Sequence, residues 1–298
     1  MGKYNLGIDI GGTFIKYALV DKEYNIKDKW KVETVKFDCK DQLYDYICLN
    51  IKMIDEIELI GISAPGLIDE KSNVKSYAAP SVCIMYGTNI SEEITNRTKK
   101  TVSAINDAKS AGLCELKIGN AKGSKSSAFL ILGTGTGGCV CNETGVIFGQ
   151  DAFAGEFHNL PFINFKSGQI DRLGDYASIT ALIEIYNCKV NEGEEVKYGN
   201  DVCKRYLEGN EIAEISVEEW INNIIIQLIT ITVFYNPEII CIGGGISEED
   251  WFIDMVREKY NKACINFFNV DIITTKIDRC KYNNDSNILG AIINTYRQ

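Results

Sequence analysis

The chain has 298 residues, 45% hydrophobic and 24% charged, which excludes a disordered protein and leaves room for two domains of ordinary size. With 31 basic against 41 acidic residues the net charge is −10, a balance that disfavours nucleic acid as a partner because such binding depends on clustered Lys and Arg. Eleven cysteines include no C-x-x-C pair and the only histidine is His158, so a Cys/His zinc site has little to draw on. The absence of an N-terminal signal pattern predicts a reducing, cytoplasmic location.

The first predicted elements are two strands, Tyr4–Ile10 and Ile15–Val20, separated by Gly11, Gly12 and Thr13. A plain hairpin accounts for them, since glycine reaches positive φ without a Cβ clash. A phosphate site accounts for them equally well, because a glycine turn presents bare backbone N–H groups to an anion. In that reading Asp9 holds a hydrated Mg²⁺, Thr13 offers a hydroxyl and Lys16 a mobile charge.

A third strand is expected near Lys29–Phe37, followed by a helix whose apolar face is Leu43, Ile47, Ile51 and Ile54. Ile57–Ser63 reads as a strand, Ser91–Lys100 as a helix capped by Ser91, and Thr101–Ile105 as another strand. This order implies a mixed sheet covered by helices. Asn106 and Asp107 fall where the last strand meets a helix beginning near Ala108, so Asp107 reads either as a helix N-cap or as a carboxylate with chemistry to do.

From about Lys117 the pattern restarts. Ala128–Leu132 is a predicted strand, Gly133, Thr134, Gly135, Thr136, Gly137 and Gly138 a tight turn, and Cys139–Asn142 the returning strand. Two glycine-threonine hairpins, each heading a half, predict a duplicated architecture with the ligand between the halves. A capping box, Ser216-x-x-Glu219, starts a long helix that ends before Asn236-Pro237. Its apolar run Ile224–Tyr235, interrupted by Gln227, is too short and too polar for a membrane span and predicts a buried helix. The strand Ile239–Ile242 then leads through Gly243, Gly244 and Gly245 to a helix start at Ser247–Asp250, a form suited to close approach by a nucleotide. The final run, Asn287–Tyr296, is helical, with Gly290 and Ala291 permitting close packing.

Seven segments in this order, DIGGTFIKYALVD, GISAPGLID, AINDAKSAGLCE, LGTGTGGCV, AGEFHN, YNPEIICIGGGIS and NILGA, resemble the ROK family of sugar kinases and related repressors over nearly the whole chain. The resemblance implies an α/β, two-domain actin-like ATPase (ribonuclease H-like) fold with an interdomain cleft. The domains expected are 1–116 and 117–286, with 287–298 packing back on the first. It also implies an enzyme using ATP and Mg²⁺ to phosphorylate a hexose 6-hydroxyl. Asp107 is then the base, and Asn106, Glu156, Asn159 and the loop Ala64, Pro65 and Gly66 contact the sugar. Asp9, Gly11–Thr13, Lys16, Gly133–Gly138 and Gly243–Gly245 serve the nucleotide, and a homodimer is expected.

Departures from the family pattern matter as much. Zinc-containing members carry E-x-G-H and a Cys-rich loop ending before L-E-x-Y-A-S. Here "EFHN" puts His158 at the family glycine and Asn159 at the ligand histidine, while "DRLGDYAS" puts Arg172 at the last cysteine and Gly174 at the glutamate. The zinc loop is thus absent as a unit, and His158 is expected to be structural or supporting. Open space at Gly174 predicts a sugar substituted at C1 or C2, N-acetylmannosamine ahead of a β-glucoside and plain glucose behind both, unless Asp175 takes the missing carboxylate's place. A ROK-type regulator is disfavoured, with eight residues before Asp9, and so is a silent sugar-binding protein, which needs neither phosphate turn nor base.

Overall fold

The structure, a computed structural model, describes residues 2–77, 80–164, 167–269 and 272–296. It divides into two compact units, the first formed by Met1–Gly123, Thr144–Ala154 and Lys281–Gln298, the second by Ser124–Glu143 and Gly155–Cys280. The expected boundary at 116/117 falls inside a helix, and residues 297–298 of the expected C-terminal segment lie outside the described residues.

The first unit contains β1 (Tyr4–Ile10), β2 (Phe14–Val20), β3 (Ile26–Glu33), α1 (Lys40–Leu49), β4 (Ile57–Ala64), α2 (Ile90–Thr98), β5 (Thr101–Asn106) and α3 (Asp107–Ile118). Its sheet has the order β3-β2-β1-β4-β5, with β1, β4 and β5 parallel and the first two connections antiparallel. Leu6, Ile8, Ile10, Ile60 and Ile62 are buried, as expected of central strands covered on both faces. At the edge, β3 alternates Lys27, Lys29 and Lys31 with Trp30 and Val32, and Trp30 stacks on Tyr17 at 5.2 Å. Lysines on an edge strand discourage pairing with another chain.

Local signals competed at several ends. The strand expected at Lys29–Phe37 is displaced to Ile26–Glu33, because its pairing with β2 runs from Phe14↔Glu33 to Val20↔Ile26. Helix α1 stops at Leu49, so Leu43 and Ile47 are buried on it while Ile51 and Ile54 pack from the following turn. Helix α2 is capped by Asn89, whose side chain accepts from the Glu92 N–H, and Ser91 instead donates to Val102 O at 2.7 Å.

The chain returns to this unit at its far end. Helix α9 (Ser286–Thr295), named here after the helices of the second unit, lies on β1 and β4 and against α3. A Cβ at Gly61 would overlap the Ala291 carbonyl, and one at Gly290 would come within 2.5 Å of the Ser110 carbonyl carbon. Ser110 Oγ donates to Asn287 O at 2.6 Å. The buried Glu115 of α3 accepts from the Lys281 and Tyr282 N–H groups at 2.7 and 2.8 Å and from Asn120 N at 3.0 Å, tying the exit from α3 to the re-entry of the chain.

The second unit contains β6 (Ser126–Leu132) and β7 (Thr136–Asn142); the short β8 (Gly145–Val146) belongs to the first unit. There follow β9 (Pro161–Asn164), β10 (Gln169–Arg172), α4 (Gly174–Ala177), α5 (Ile179–Asn187), α6 (Gly199–Leu207), α7 (Glu211–Tyr235), β11 (Ile239–Gly243), α8 (Asp250–Phe268) and β12 (Lys276–Arg279). Its strands run β12-β11-β6-β7, with β6 antiparallel to β7 and parallel to β11, repeating the path β5-β4-β1-β2 of the first unit. Helix α7 begins five residues before the expected Ser216, at a cap formed by Asn210, whose side chain accepts from Ala213 N. Ser216 is buried inside it and donates to Ile212 O. Among the described residues α7 is long and apolar enough to cross a membrane, yet Trp220, Ile221, Ile224 and Leu228 are buried in this unit's core.

The glycine contacts under α9 give a direct test. Gly61→Ala and Gly290→Ala are each expected to cost about 3 kcal/mol or more, since backbone must move to admit the methyl group. Gly135→Ala, whose Cβ would meet nothing within 4 Å, is expected to stay within about 0.5 kcal/mol. Denaturant titration of the three variants checks the contrast.

Candidate active site

In the first unit the carboxyl ends of β1, β4 and β5 lie in register, Asp9 opposite Ser63 and Ala64 opposite Asn106. Carboxyl ends of parallel strands are where open α/β sheets bind ligands. Asp9 is buried, its Oδ1 accepting from Ser63 Oγ at 2.9 Å and Asn287 Nδ2 at 3.3 Å, its Oδ2 facing Lys16 Nζ at 3.2 Å. In the adjoining turn the Gly11 N–H closes the hairpin on Phe14 O, and a Cβ there would come within 2.8 Å of that oxygen. Thr34 and Ser81 hydroxyls take the carbonyls of Gly11 and Gly12 at 2.7 and 2.6 Å. The N–H groups of Gly12 and Thr13 have no partner among the described residues, the condition an anion site requires. Gly11 thus serves the hairpin, and Gly12 and Thr13 offer the donors.

The junction of β5 and α3 separates two roles that the sequence left superimposed. Asn106 is the N-cap: its Oδ1 accepts from Lys109 N at 3.1 Å, and its Nδ2 donates to Gly66 O and to Asp107 Oδ1, both at 2.9 Å. Asp107 Oδ1 also accepts from its neighbour Ala108 N at 2.7 Å. The helix therefore does not need Asp107 as its cap. The loop Ala64, Pro65 and Gly66 turns at Gly66, where φ is +91°, and is held against Asn106. Asn106, Asp107 and this loop are brought together.

In the second unit the glycine-threonine turn is shorter than expected. It spans Gly133–Gly135, closed by Gly133 N to Gly135 O, and α5 is fastened to it through Ile179 N to Gly133 O and Thr180 Oγ1 to Thr134 O. Thr136, Gly137 and Gly138 already belong to β7. A Cβ at Gly138 would run into the Phe157 ring and come within 2.8 Å of Gly155 O, so that glycine makes room for the Glu156 segment. The triplet Gly243–Gly245 divides similarly. Gly244, at φ +96°, crosses against the Leu132 carbonyl, a Cβ at Gly243 would meet Ile131, and Gly245 alone faces open space. The helix expected at Ser247–Asp250 begins as a 3₁₀ turn, Gly245–Glu248, with α8 proper starting at Asp250.

Glu156 is half-buried and precedes the single turn Phe157–Asn159, in which Asn159 is exposed. The open space expected at Gly174 is not there. Gly174 is buried, and a Cβ on it would lie within 2.6 Å of His158 Cγ and of Thr136 Oγ1, the imidazole occupying the volume. His158 Nε2 stands 3.3 Å from Asp175 Oδ1 and Nδ1 3.5 Å from Thr136 Oγ1, while Asp175 Oδ2 takes Arg172 Nε at 3.2 Å. Asp175 is thus engaged with His158 and Arg172. Among the described residues no three His, Cys, Asp or Glu side chains group as a metal site.

Sequence reasoning missed several supports. From one face of α7, Trp220 Nε1 donates to Ala177 O and Ser178 O, Asn223 Nδ2 to Tyr176 O, and Gln227 Nε2 to Phe157 O at 3.4 Å. Their i, i+3, i+7 spacing in an apolar run was the available signal. Ser63 and Asn287, which hold Asp9, carried none, because their meeting depends on strand register and on the chain's return.

Comparison with known proteins follows the same lines. An N-acetylgalactosamine kinase from Shewanella sp. (strain ANA-3) is 26% identical over 265 residues, covering 81% of this chain and 82% of its own. A ROK family protein from Streptococcus pneumoniae TIGR4, solved in complex with sucrose, superposes with a TM-score of 0.86 at 23% identity, covering 98% of this chain and 97% of its own. A ROK family glucokinase from Streptomyces griseus, solved with glucose and AMPPNP, gives 0.78 at 22% identity, covering 97% and 98%. The fold is the actin-like ATPase fold. With the ROK family model matching residues 5–296, the chain belongs to the ROK family.

Proposed function

We propose that the protein is an ATP-dependent kinase that phosphorylates the 6-hydroxyl of a hexose, with Asp107 as the general base. The observation that carries this reading is the cap at α3: Asn106 fills it, so the neighbouring half-buried carboxylate of Asp107 is not needed to begin the helix. Held through Oδ1 at the carboxyl end of β5, Asp107 accepts the proton of the attacking hydroxyl. Asn106 and Glu156 orient the sugar, with Asn159 at the exposed edge. Gly12, Thr13, Thr134 and Gly135 donate N–H groups to phosphates, Lys16 adds charge, and Gly245 lines the adenosine side.

Asp9 fits a water-mediated Mg²⁺, being a fixed carboxylate beside a turn with free N–H donors, since Mg²⁺ takes one or two carboxylates alongside phosphate oxygens. Bound there, the ion would neutralise charge on the phosphoryl group in transfer. The AMPPNP held by the Streptomyces griseus protein supports ATP as donor.

Gly174 no longer favours N-acetylmannosamine. That sugar stands as one acceptor candidate beside N-acetylgalactosamine, glucose and β-glucosides. We further propose a cytoplasmic homodimer, for which the exposed Ile226, Val233 and Phe234 of α7 offer an apolar surface.

An ADP-release screen over these sugars is expected to yield a hexose acceptor, and turnover of none of them overturns the kinase reading. Asp107→Asn is expected to keep sugar binding by calorimetry while kcat falls roughly 10²–10⁴-fold; retention of more than about a tenth of wild-type kcat removes the base from this position. Protein purified without added zinc is expected to carry substoichiometric zinc by elemental analysis, and a stoichiometric, chelator-resistant ion would overturn the reading of Asn159 and Arg172.

A further inference from the structure

We infer that His158 is a positioning residue: its ring, seated in the volume that a side chain at position 174 would take, locks the Glu156 segment to β7 and α4. The inference rests on the proposed role of Glu156 as a sugar ligand.

Three observations point the same way. The ring is bracketed by Thr136 at the start of β7, by Gly174 and Asp175 of α4, and by its own turn. Gly174 sits in a helix without a positive φ, so nothing in its backbone calls for glycine, which is among the poorest helix formers. What calls for it is room, because even a methyl group there would displace the imidazole. From the opposite side, Phe157 is buried against Gly138, and its carbonyl takes the Gln227 amide. The segment carrying Glu156 is therefore gripped on two faces, by Phe157 below and by His158 beside α4.

The partners also distinguish the two tautomers of the neutral ring. A carboxylate only accepts, so Nε2 carries a proton toward Asp175, and in the neutral ring Nδ1 then accepts from the Thr136 hydroxyl. Arg172 on the other oxygen of Asp175 keeps that carboxylate turned toward the ring.

The test uses the fact that this is the chain's only histidine, so its imidazole resonances are assigned without mutagenesis. Long-range ¹H–¹⁵N spectra of the wild type are expected to show the Nε2–H tautomer, and those of Gly174→Ala a displaced ring. His158→Ala and Gly174→Ala are each expected to raise the sugar KM about 10- to 100-fold, the scale of losses from a displacement near 1 Å, with the ATP KM changed less than about threefold. The double variant is expected to be no worse than His158→Ala, because with the ring gone the nearest atom opposing the new methyl group is the rotatable Thr136 hydroxyl. His158→Gln, which keeps a donor toward Asp175, is expected to recover most of the loss.

A sugar KM unmoved in a folded His158→Ala variant, or losses that multiply in the double variant, would overturn the inference while the kinase reading stands. A wild type that turns over no sugar overturns the kinase reading and this inference with it. If His158→Ala melts early, the spectra and the sugar KM of Gly174→Ala decide, and an undisplaced ring refutes the steric interlock.

Discussion

The seating of α9 on β1 and β4 is the contact on which the first unit's site depends. Gly61 makes it possible from the sheet, where a single methyl group would strike the Ala291 carbonyl, and Gly290 lets the same helix close on α3, where a methyl group would strike the Ser110 carbonyl. Backbone at that range leaves no slack for sliding. Asn287 consequently reaches Asp9, Ser110 is fixed through Asn287 O, and α3 is held with its first turn at the end of β5. The position of Asp107 is set by a helix from the other end of the chain.

The second unit reaches a comparable precision by other means. Its segment around Glu156 has no long element of its own, only one turn, so neighbours impose its shape. Helix α7 supplies a row of side-chain donors to main-chain carbonyls, tying α4 and the turn after Glu156 to one helix face. His158 and Gly174 are complementary, a large side chain at one position and none at the other.

Much of the architecture was legible because it follows from periodicity and from glycine. The paired strands around each turn, the parallel strands after them and the return of the last helix are written in local patterns. Errors fell where two local signals competed. Ser91 and Ser216 looked like caps, but Asn89 and Asn210 lay earlier and won, leaving both serines to satisfy carbonyls instead. At Gly174 the sequence could show an absent side chain but not what filled its place, since the occupant is 16 residues away along the chain. Asn106 and Asp107 were recognised as a pair, while the assignment of the cap to Asn106 rather than Asp107 required atomic positions.

The discontinuity of the first unit bears on how the molecule is made. Translation delivers the sheet of this unit first, yet α9, which covers β1 and β4, follows only after the whole of the second unit. Until then Ala18, Val20 and Cys114 lack the Ile288, Leu289 and Ile292 side chains they pack against, and a nascent chain with bare apolar groups is exposed to aggregation. The second unit is nearly continuous in sequence and has all its segments by Cys280. The first unit therefore cannot close until the second has been made, and a chain cut anywhere within the second unit leaves the first without the helix that braces Asp9 and α3.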